Sequence, residues 1–465
     1  MRPDKPSPLP PWVRLLDAAT TLVAGIGLLL EITGGPRFTV AGLPLSMASG
    51  TRPLLLAAGL ALVRHVLVRR DPLHRRLLRA WGRRPQSTFT RSILPAFLTT
   101  RVAVLLIGYL AVRTIGFAPG GPAPAGASAD GLGNLLLRWD AGWYYQIADV
   151  GYRFDPADPA QQNIAFFPAY PLLMRYVALL FGGRLLLAGL LMSLGAFLGA
   201  MTYLFRLARQ FMDDDHAAAA IVLLAMVGAF YHLGRGACGR AAAWGLLAGL
   251  TRPNGFLLSL PLLLVALQPL LLARTGSAWR WVWEGRSPGP SSTRSSGATS
   301  LPARVAAAVM PVLGMLAFAA YLWFLTGDAL AWPRVQAAWG RSVQGFAGVA
   351  SGPFRQLIEF GILASIRTMP FETLNSMAAV FAIAAVWPVT RRFGLAYGAL
   401  VAINLAVPLA AGGVQSLGRM TSVLFPVFLW LGAAVAVRHR PLWVFVFGSA
   451  QALVATLFFT WRQVF

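Results

Sequence analysis

Carboxylates are scarce in this chain: 16 Asp and Glu stand against 40 Lys and Arg in 465 residues, and Lys5 is the sole lysine. Only 12% of residues are charged while 57% are hydrophobic, which excludes an ordinary soluble domain and a solvated, disordered chain alike. Cysteine is nearly absent. The single Cys238 permits no internal disulfide and leaves the redox compartment open. Histidine is sparse too: His65, His74, His216, His232 and His439 are scattered, with no paired spacing that would build a metal site. Long polar stretches are missing, so no soluble appendage is large enough to fold alone.

What the sequence does have is a succession of apolar runs separated by short basic loops. A formal charge of +24 in a soluble protein would suggest nucleic acid. Here the arginines sit between apolar runs, as the positive-inside bias requires, so nucleic acid is not an expected partner. The expectation is an all-α polytopic membrane protein of ten to twelve spans. The arginine-for-lysine skew resembles a GC-rich bacterial genome. That places the chain in a bacterial plasma membrane, or in the endoplasmic reticulum membrane for a eukaryotic source.

Residues 1–14 are proline-rich and basic. The run at 18–30 has no small-residue cleavage site after it and reads as an uncleaved anchor with its N-terminus inside. Alternation around Gly42 predicts a small outer hairpin. The second run, 54–68, contains Arg64, which is expected to snorkel to the interface. Residues 69–92 gather Arg69, Arg70, Arg75, Arg76, Arg79, Arg83, Arg84 and Arg91 against Asp71 alone. This is the clearest inside marker, suited to anionic lipid heads. Two parts follow: a helix pair with a basic cytoplasmic loop over 1–92, and a membrane catalytic domain over 93–465. Within the second part the reading gives an outer loop at 118–170, a disordered cytoplasmic linker at 274–304 and a second outer loop at 326–373. Arg101 should face protein or the lower interface. Later runs are expected at 185–207, 217–231, 241–273, 305–325, 374–389, 393–411, 420–437 and 442–459, the third broken by Thr251-Arg252-Pro253-Asn254-Gly255. Asp213, Asp214 and Asp215 read as an acidic helix start, not a metal motif.

The longest polar interruption, 138–171, holds Asp140, Asp149, Asp155 and Asp158 against Arg138 and Arg153. Asp140 is flanked by Trp139, Trp143, Tyr144 and Tyr145. Aromatic faces stack on sugar rings, and they also anchor at the headgroup level. A carboxylate there can take a proton from an acceptor hydroxyl. Glycosyl transfer further needs cations for the leaving phosphate; Arg153, Arg341 and Arg419 are candidates, since a guanidinium matches a phosphate fork.

The motifs then add a resemblance. Arg138-Trp139-Asp140-Ala141 with Tyr144, Ile147-Ala148 and Gly151-Tyr152 is followed by Ala165-Phe166-Phe167-Pro168 and Tyr170-Pro171-Leu172-Leu173. Further on come Leu250-Thr251-Arg252-Pro253-Asn254-Gly255, Gln336 with Trp339-Gly340-Arg341, and Gly418-Arg419 before Phe425-Pro426. From about residue 95 this order resembles the PIG-V type of GPI mannosyltransferase and its bacterial relatives, of the GT-C class of membrane glycosyltransferases. The resemblance implies a GT-C-like fold and a polyprenyl- or dolichyl-phosphate mannose donor. It also implies inverting transfer at the outer face to a glycolipid or glycan acceptor, with Asp140 as general base. The substrate-binding positions it implies are Arg138, Trp139, Tyr144, Asp149, Tyr152, Phe167, Tyr170, Arg252, Trp339, Arg341 and Arg419. Membrane lipids are the other partners. No cofactor is assigned, a divalent metal ion staying open. One departure is plain: family members carry an outer Tyr-Thr/Ser-Glu turn between the positions matching Ala225 and Met226, and it is missing here. That departure makes a catalytically impaired homologue one alternative; a separate one is a transporter or flippase built around Arg101 and Arg252.

Overall fold

The structure, a computed structural model, describes residues 10–33, 37–40, 43–46, 51–68, 93–118, 137–209, 228–275, 280–286, 300–340, 353–414, 417–421 and 423–462. The chain forms two compact units, Met1–Arg91 with Tyr176–Ala188, and Ser92–Arg175 with Gly189–Phe465.

In the first unit, α1 (Pro11–Thr33) packs on α2 (Thr51–Leu67). Between them β1 (Arg37–Val40) and β2 (Leu43–Ser46) pair antiparallel, Val40 opposite Leu43, the hairpin that the alternation around Gly42 predicts. Arg64 does not snorkel. It is 1% exposed, and its Nε and Nη2 donate to the two carboxylate oxygens of Asp17 at 2.9 and 3.4 Å. Its Nη1 donates to the Val68 carbonyl at 2.9 Å. A guanidinium with a buried carboxylate opposite it has no need to reach water, which is why the expected excursion does not occur.

The second unit contains α3 (Leu94–Thr114), α4 (Ala141–Val150), most of α5 (Ala169–Leu179) and α6 (Leu185–Ala208), then α7 (Gly228–Gly234), α8 (Cys238–Thr251), α9 (Ser259–Thr275) and α10 (Arg280–Glu284). It continues with α11 (Leu301–Thr326), α12 (Ala331–Val335), α13 (Pro353–Thr368), α14 (Pro370–Phe393), α15 (Leu395–Gly412), α16 (Leu417–Thr421), α17 (Phe425–Ala434) and α18 (Arg440–Phe459). Six helical stretches are long and apolar enough to cross a membrane: Leu94–Thr114, Leu185–Ala208, Pro253–Thr275, Leu301–Thr326, Pro370–Phe393 and Val437–Phe459. At 1.5 Å per residue they measure roughly 31–39 Å, matching a hydrocarbon core of about 30 Å. The protein is an α-helical, multi-pass membrane protein. The described residues thus hold six such helices where the sequence suggests ten to twelve spans. Part of the difference is at 420–437, where Pro426 opens α17 afresh and leaves it ten residues long.

Lipid tails are as apolar as the helices, so helix association in a membrane rests on close approach of small residues. The α8–α11 contact shows this. A side chain on Gly249 would run into the Pro311 carbonyl, and one on Gly314 into the Leu246 carbonyl. The helix break expected at 251–255 is present: Pro253 forces Arg252 into extended backbone (φ −161°, ψ 155°), and the chain resumes as a 3-10 turn, Pro253–Leu258, before α9. Arg101 faces protein as expected, its guanidinium 4.1 Å from the centre of the Phe197 ring.

Three stretches differ from or add to the sequence reading. The run at 217–231 would put Arg235 and Arg240 outside if it crossed once, against the charge bias, and its residues 217–227 lie outside the described residues. His232 on α7 meets Tyr203 near the end of α6, Nε2 to hydroxyl 3.1 Å, so the Arg235 turn returns to the end of α6 where Arg206 sits. The basic residues then fall together, as the charge bias demands. Second, the 274–304 stretch, expected to be disordered, is helical over part of its described residues. It contains α10, fixed by Trp281 against Trp387 and by the Trp283 indole on the Thr275 hydroxyl at 3.0 Å. Third, the 326–373 stretch is substantially helical, holding α12, the turn Gln336–Trp339 and α13 kinked at Gly361 (φ 75°).

Candidate functional site

The site is built where α18 ends. α3 and α18 finish side by side: the Phe459 ring lies against Gly108, and the Thr460 carbonyl accepts from Ala118 N–H at 3.0 Å. Onto this end the chain returns at Leu137. Arg138 is 2% exposed. Its Nε donates to the Phe459 carbonyl at 3.0 Å, and its guanidinium lies 5.3 and 5.8 Å from the Phe117 and Trp461 rings. Burial lowers its pKa from the ordinary value, yet a guanidinium stays charged at any physiological pH. Trp139 takes a left-handed conformation (φ 51°), rare for a bulky residue. That turn lets its indole N–H donate to the Phe458 carbonyl at 3.1 Å and sets its ring 5.2 Å from that of Trp461, tilted by 44°. Both residues, candidates for substrate contact in the sequence, are thus engaged by the end of α18. Their geometry sets Asp140 at the head of α4.

Asp140 is half-buried, and its carbonyl receives the N–H groups of Trp143 and Tyr144. Its carboxylate makes no helix-capping hydrogen bond. Asp149 stands nine residues on, roughly 13 Å along α4 and half a turn around it. It is exposed, and its carbonyl accepts from Arg175 Nη2 at 2.8 Å. The two carboxylates therefore do not converge. Asp155 and Asp158 serve local turns, accepting from Ala157 N–H and Ala160 N–H, each at 2.9 Å.

The loop after α4 is closed by two buried amides that the sequence did not signal. Asn163 accepts from Arg153 N–H at 3.0 Å and donates to the Gly151 carbonyl at 3.2 Å. Gln162 accepts from Asp155 N–H at 2.9 Å and donates to the Asp155 and Asp158 carbonyls, both at 2.7 Å. Tyr152 donates to the Phe166 carbonyl at 2.7 Å. Burial first, then Tyr321 and Tyr144, raises its pKa far above the ordinary phenol value, so it remains a donor. Asn163→Ala leaves a loop N–H and a carbonyl without their partner, a cost of about 1–3 kcal/mol. The expected outcome is faster proteolytic cleavage within 151–168 while cleavage elsewhere is unchanged.

Phe166 and Phe167 point to different neighbours. Phe167 is buried against Phe318 (4.7 Å) and Trp332 (5.5 Å), in a core with Ile164, Leu322 and Ala331 that Tyr152 and Leu250 flank. Phe166 instead joins a half-buried aromatic cluster: Trp143 stacks on it at 5.7 Å, with Tyr144 at 5.2 Å and Trp339 at 5.8 Å edge-on. Trp143 also meets Trp339 at 6.0 Å, and Tyr144 meets Tyr170 at 5.4 Å. Residues from three separated motifs so form one patch, which Trp143 and Tyr144 join three and four positions after Asp140.

The remaining candidates are placed less directly. Arg252, half-buried, follows two residues after Leu250, which packs against the Phe167 core. Arg341 lies outside the described residues, two positions beyond Trp339. Arg419 lies in α16, whose Gly418 N–H donates to the Asn375 side chain at 2.7 Å; the Arg419 side chain is outside what is described. The segment matching the missing family turn and the acidic triplet at 213–215 also lie outside the described residues. Among those residues no three His, Cys, Asp or Glu side chains gather as a metal-binding group. Comparison with family models, with curated proteins and with solved structures finds no match.

Proposed function

We propose that the protein is an integral-membrane glycosyltransferase that moves a sugar, mannose in the first instance, from a polyprenyl- or dolichyl-phosphate donor to a glycolipid or glycan acceptor. Asp140 is the general base. The observation that supports this reading is the gathering of Trp143, Tyr144, Phe166, Tyr170 and Trp339 beside the helix that Asp140 heads. Faces of this kind stack on a pyranose ring. The carboxylate at the head of the helix takes the proton of the acceptor hydroxyl as that oxygen attacks the anomeric carbon; the carbon–oxygen bond to the lipid phosphate breaks, and the phosphate leaves with the electron pair. Arg341 and Arg419 are assigned to that developing charge, and Arg252 to the substrate near the Phe167 core. Basic stretches precede both α3 and α18, at 69–92 and at Arg438–Arg440, so the charge bias favours the outer face for the end where they finish beside Arg138.

Radiolabelled polyprenyl-phosphate mannose with total membrane lipid tests the reading, label appearing in an acceptor only when the wild-type protein is present. Labelled substrate crossing vesicles without any product points to transport; no turnover points to an impaired homologue. Trp339→Ala is expected to raise the donor KM about three- to tenfold with kcat little changed, the loss of one aromatic face. An unchanged KM would remove the aromatic patch from the sugar site.

A further inference from the structure

The end of α6 and the α7–α8 turn carry a cluster that glycosyl transfer does not use. His232 is buried, with its Nε2 3.1 Å from the Tyr203 hydroxyl. Tyr203 is ringed edge-on by Tyr231 at 5.7 Å and Trp244 at 5.4 Å. Three arginines from three places in the chain surround this group: Arg206 in the last turn of α6, Arg235 in the turn after α7, and Arg240 in the first turn of α8. All three are exposed. The Arg235 guanidinium lies 5.6 Å from the centre of the Tyr231 ring. Burial, then Arg240, Arg206 and Arg235 in that order, lowers the pKa of His232, and among the described residues no carboxylate acts against them. Residues 185–209 and 228–251 contain no Asp or Glu at all.

We infer that Arg206, Arg235 and Arg240 form a binding site for the phosphate of an anionic phospholipid headgroup, lying between the end of α6 and the α7–α8 turn. Two features favour a lipid over a soluble phosphate. The site stands at the end of Leu185–Ala208, a helix long enough to cross a membrane, and so at headgroup depth. Its neighbours Tyr203, Tyr231 and Trp244 are the residue types that settle at that level. Basic pockets between membrane helices hold anionic headgroups in this way, the guanidiniums donating to phosphate oxygens. The inference rests on the membrane architecture alone and is independent of the proposed transfer reaction.

Native mass spectrometry of the full-length protein in detergent tests it, with phosphatidylglycerol, phosphatidylcholine and glycerol 3-phosphate titrated separately. The expected result is retention of phosphatidylglycerol, and not of the other two, with about fivefold weaker binding for each of R206Q, R235Q and R240Q and roughly 100-fold for the three together. The triple lysine variant should keep most of the binding. Histidine NMR on the wild-type protein reads the same event without a variant: phosphatidylglycerol should move the His232 midpoint upward, because a nearby anion favours imidazolium. Equal binding of phosphatidylcholine, or of glycerol 3-phosphate alone, overturns the assignment. So does a wild type that takes no phosphatidylglycerol until Asp213, Asp214 and Asp215 are changed to Asn, since the arginines would then be satisfied from within the chain.

Discussion

Asp140→Asn is expected to lower the rate of sugar transfer by about 10²–10⁴-fold while expression and thermal stability stay as in the wild type. That loss corresponds to roughly 3–5 kcal/mol of transition-state stabilisation. The amide has nearly the shape of the carboxylate but cannot accept the acceptor's proton. The helix start has little reason to respond. The start of α4 uses the carbonyl of residue 140, which receives the Trp143 and Tyr144 N–H groups, and asparagine serves a helix N-terminus as well as aspartate does. The position is fixed independently by Arg138 on the Phe459 carbonyl and Trp139 on the Phe458 carbonyl. Asp149→Asn is the internal comparison. Its carboxylate is at the other end and on the other face of α4, so transfer should continue with little change. Equal losses from the two substitutions would argue for a general effect of loop charge and against a proton acceptor at 140.

The second large effect concerns stability. Asp17→Asn leaves the Arg64 guanidinium buried beside a neutral amide, and Arg64→Leu strands the Asp17 carboxylate. Each should destabilise the α1–α2 pair by about 3–5 kcal/mol, because an uncompensated buried charge loses both water and partner. The double variant Asp17→Leu with Arg64→Leu removes both charges together and should recover most of that loss. Thermal unfolding of the purified protein, or protease sensitivity of the 34–53 connector, reads the difference. A double variant as unstable as the two singles summed would show that these side chains do not act as a pair. Transfer activity in the detergent-solubilised double variant should remain, because Asp140 and its aromatic neighbours belong to the other unit.

Much of the framework is legible in the sequence for a direct reason: apolar length, breakers and arginines act locally. The hairpin around Gly42, the break before Pro253 and the inward-facing Arg101 all follow from residues a few positions apart or from one charge in an apolar run. The Asp17–Arg64 pair does not, because the partners are 47 residues apart and nothing near either one announces the other. The same holds for Arg138, whose acceptor at Phe459 is 321 residues away. Asn163 and Gln162 are ordinary polar residues in a polar loop; only the fold reveals that they are buried and close it. The position of the Arg235 turn is hidden in the same way, because hydrophobicity gives length but not direction, and His232 meeting Tyr203 sets it. Within the site, the motifs carrying Trp143, Phe166 and Trp339 were each visible, and their meeting was not.

The central claim is most directly tested by reconstituting the purified wild-type chain in liposomes with radiolabelled polyprenyl-phosphate mannose and membrane lipid acceptor, and following label and released polyprenyl phosphate together. Transfer should appear as mannosylated product formed in step with free polyprenyl phosphate, and the Asp140→Asn chain should produce neither. Product formation at the wild-type rate by the Asp140→Asn chain would contradict the assignment of the base, and labelled donor moving across the bilayer with no product from either chain would contradict the transferase itself.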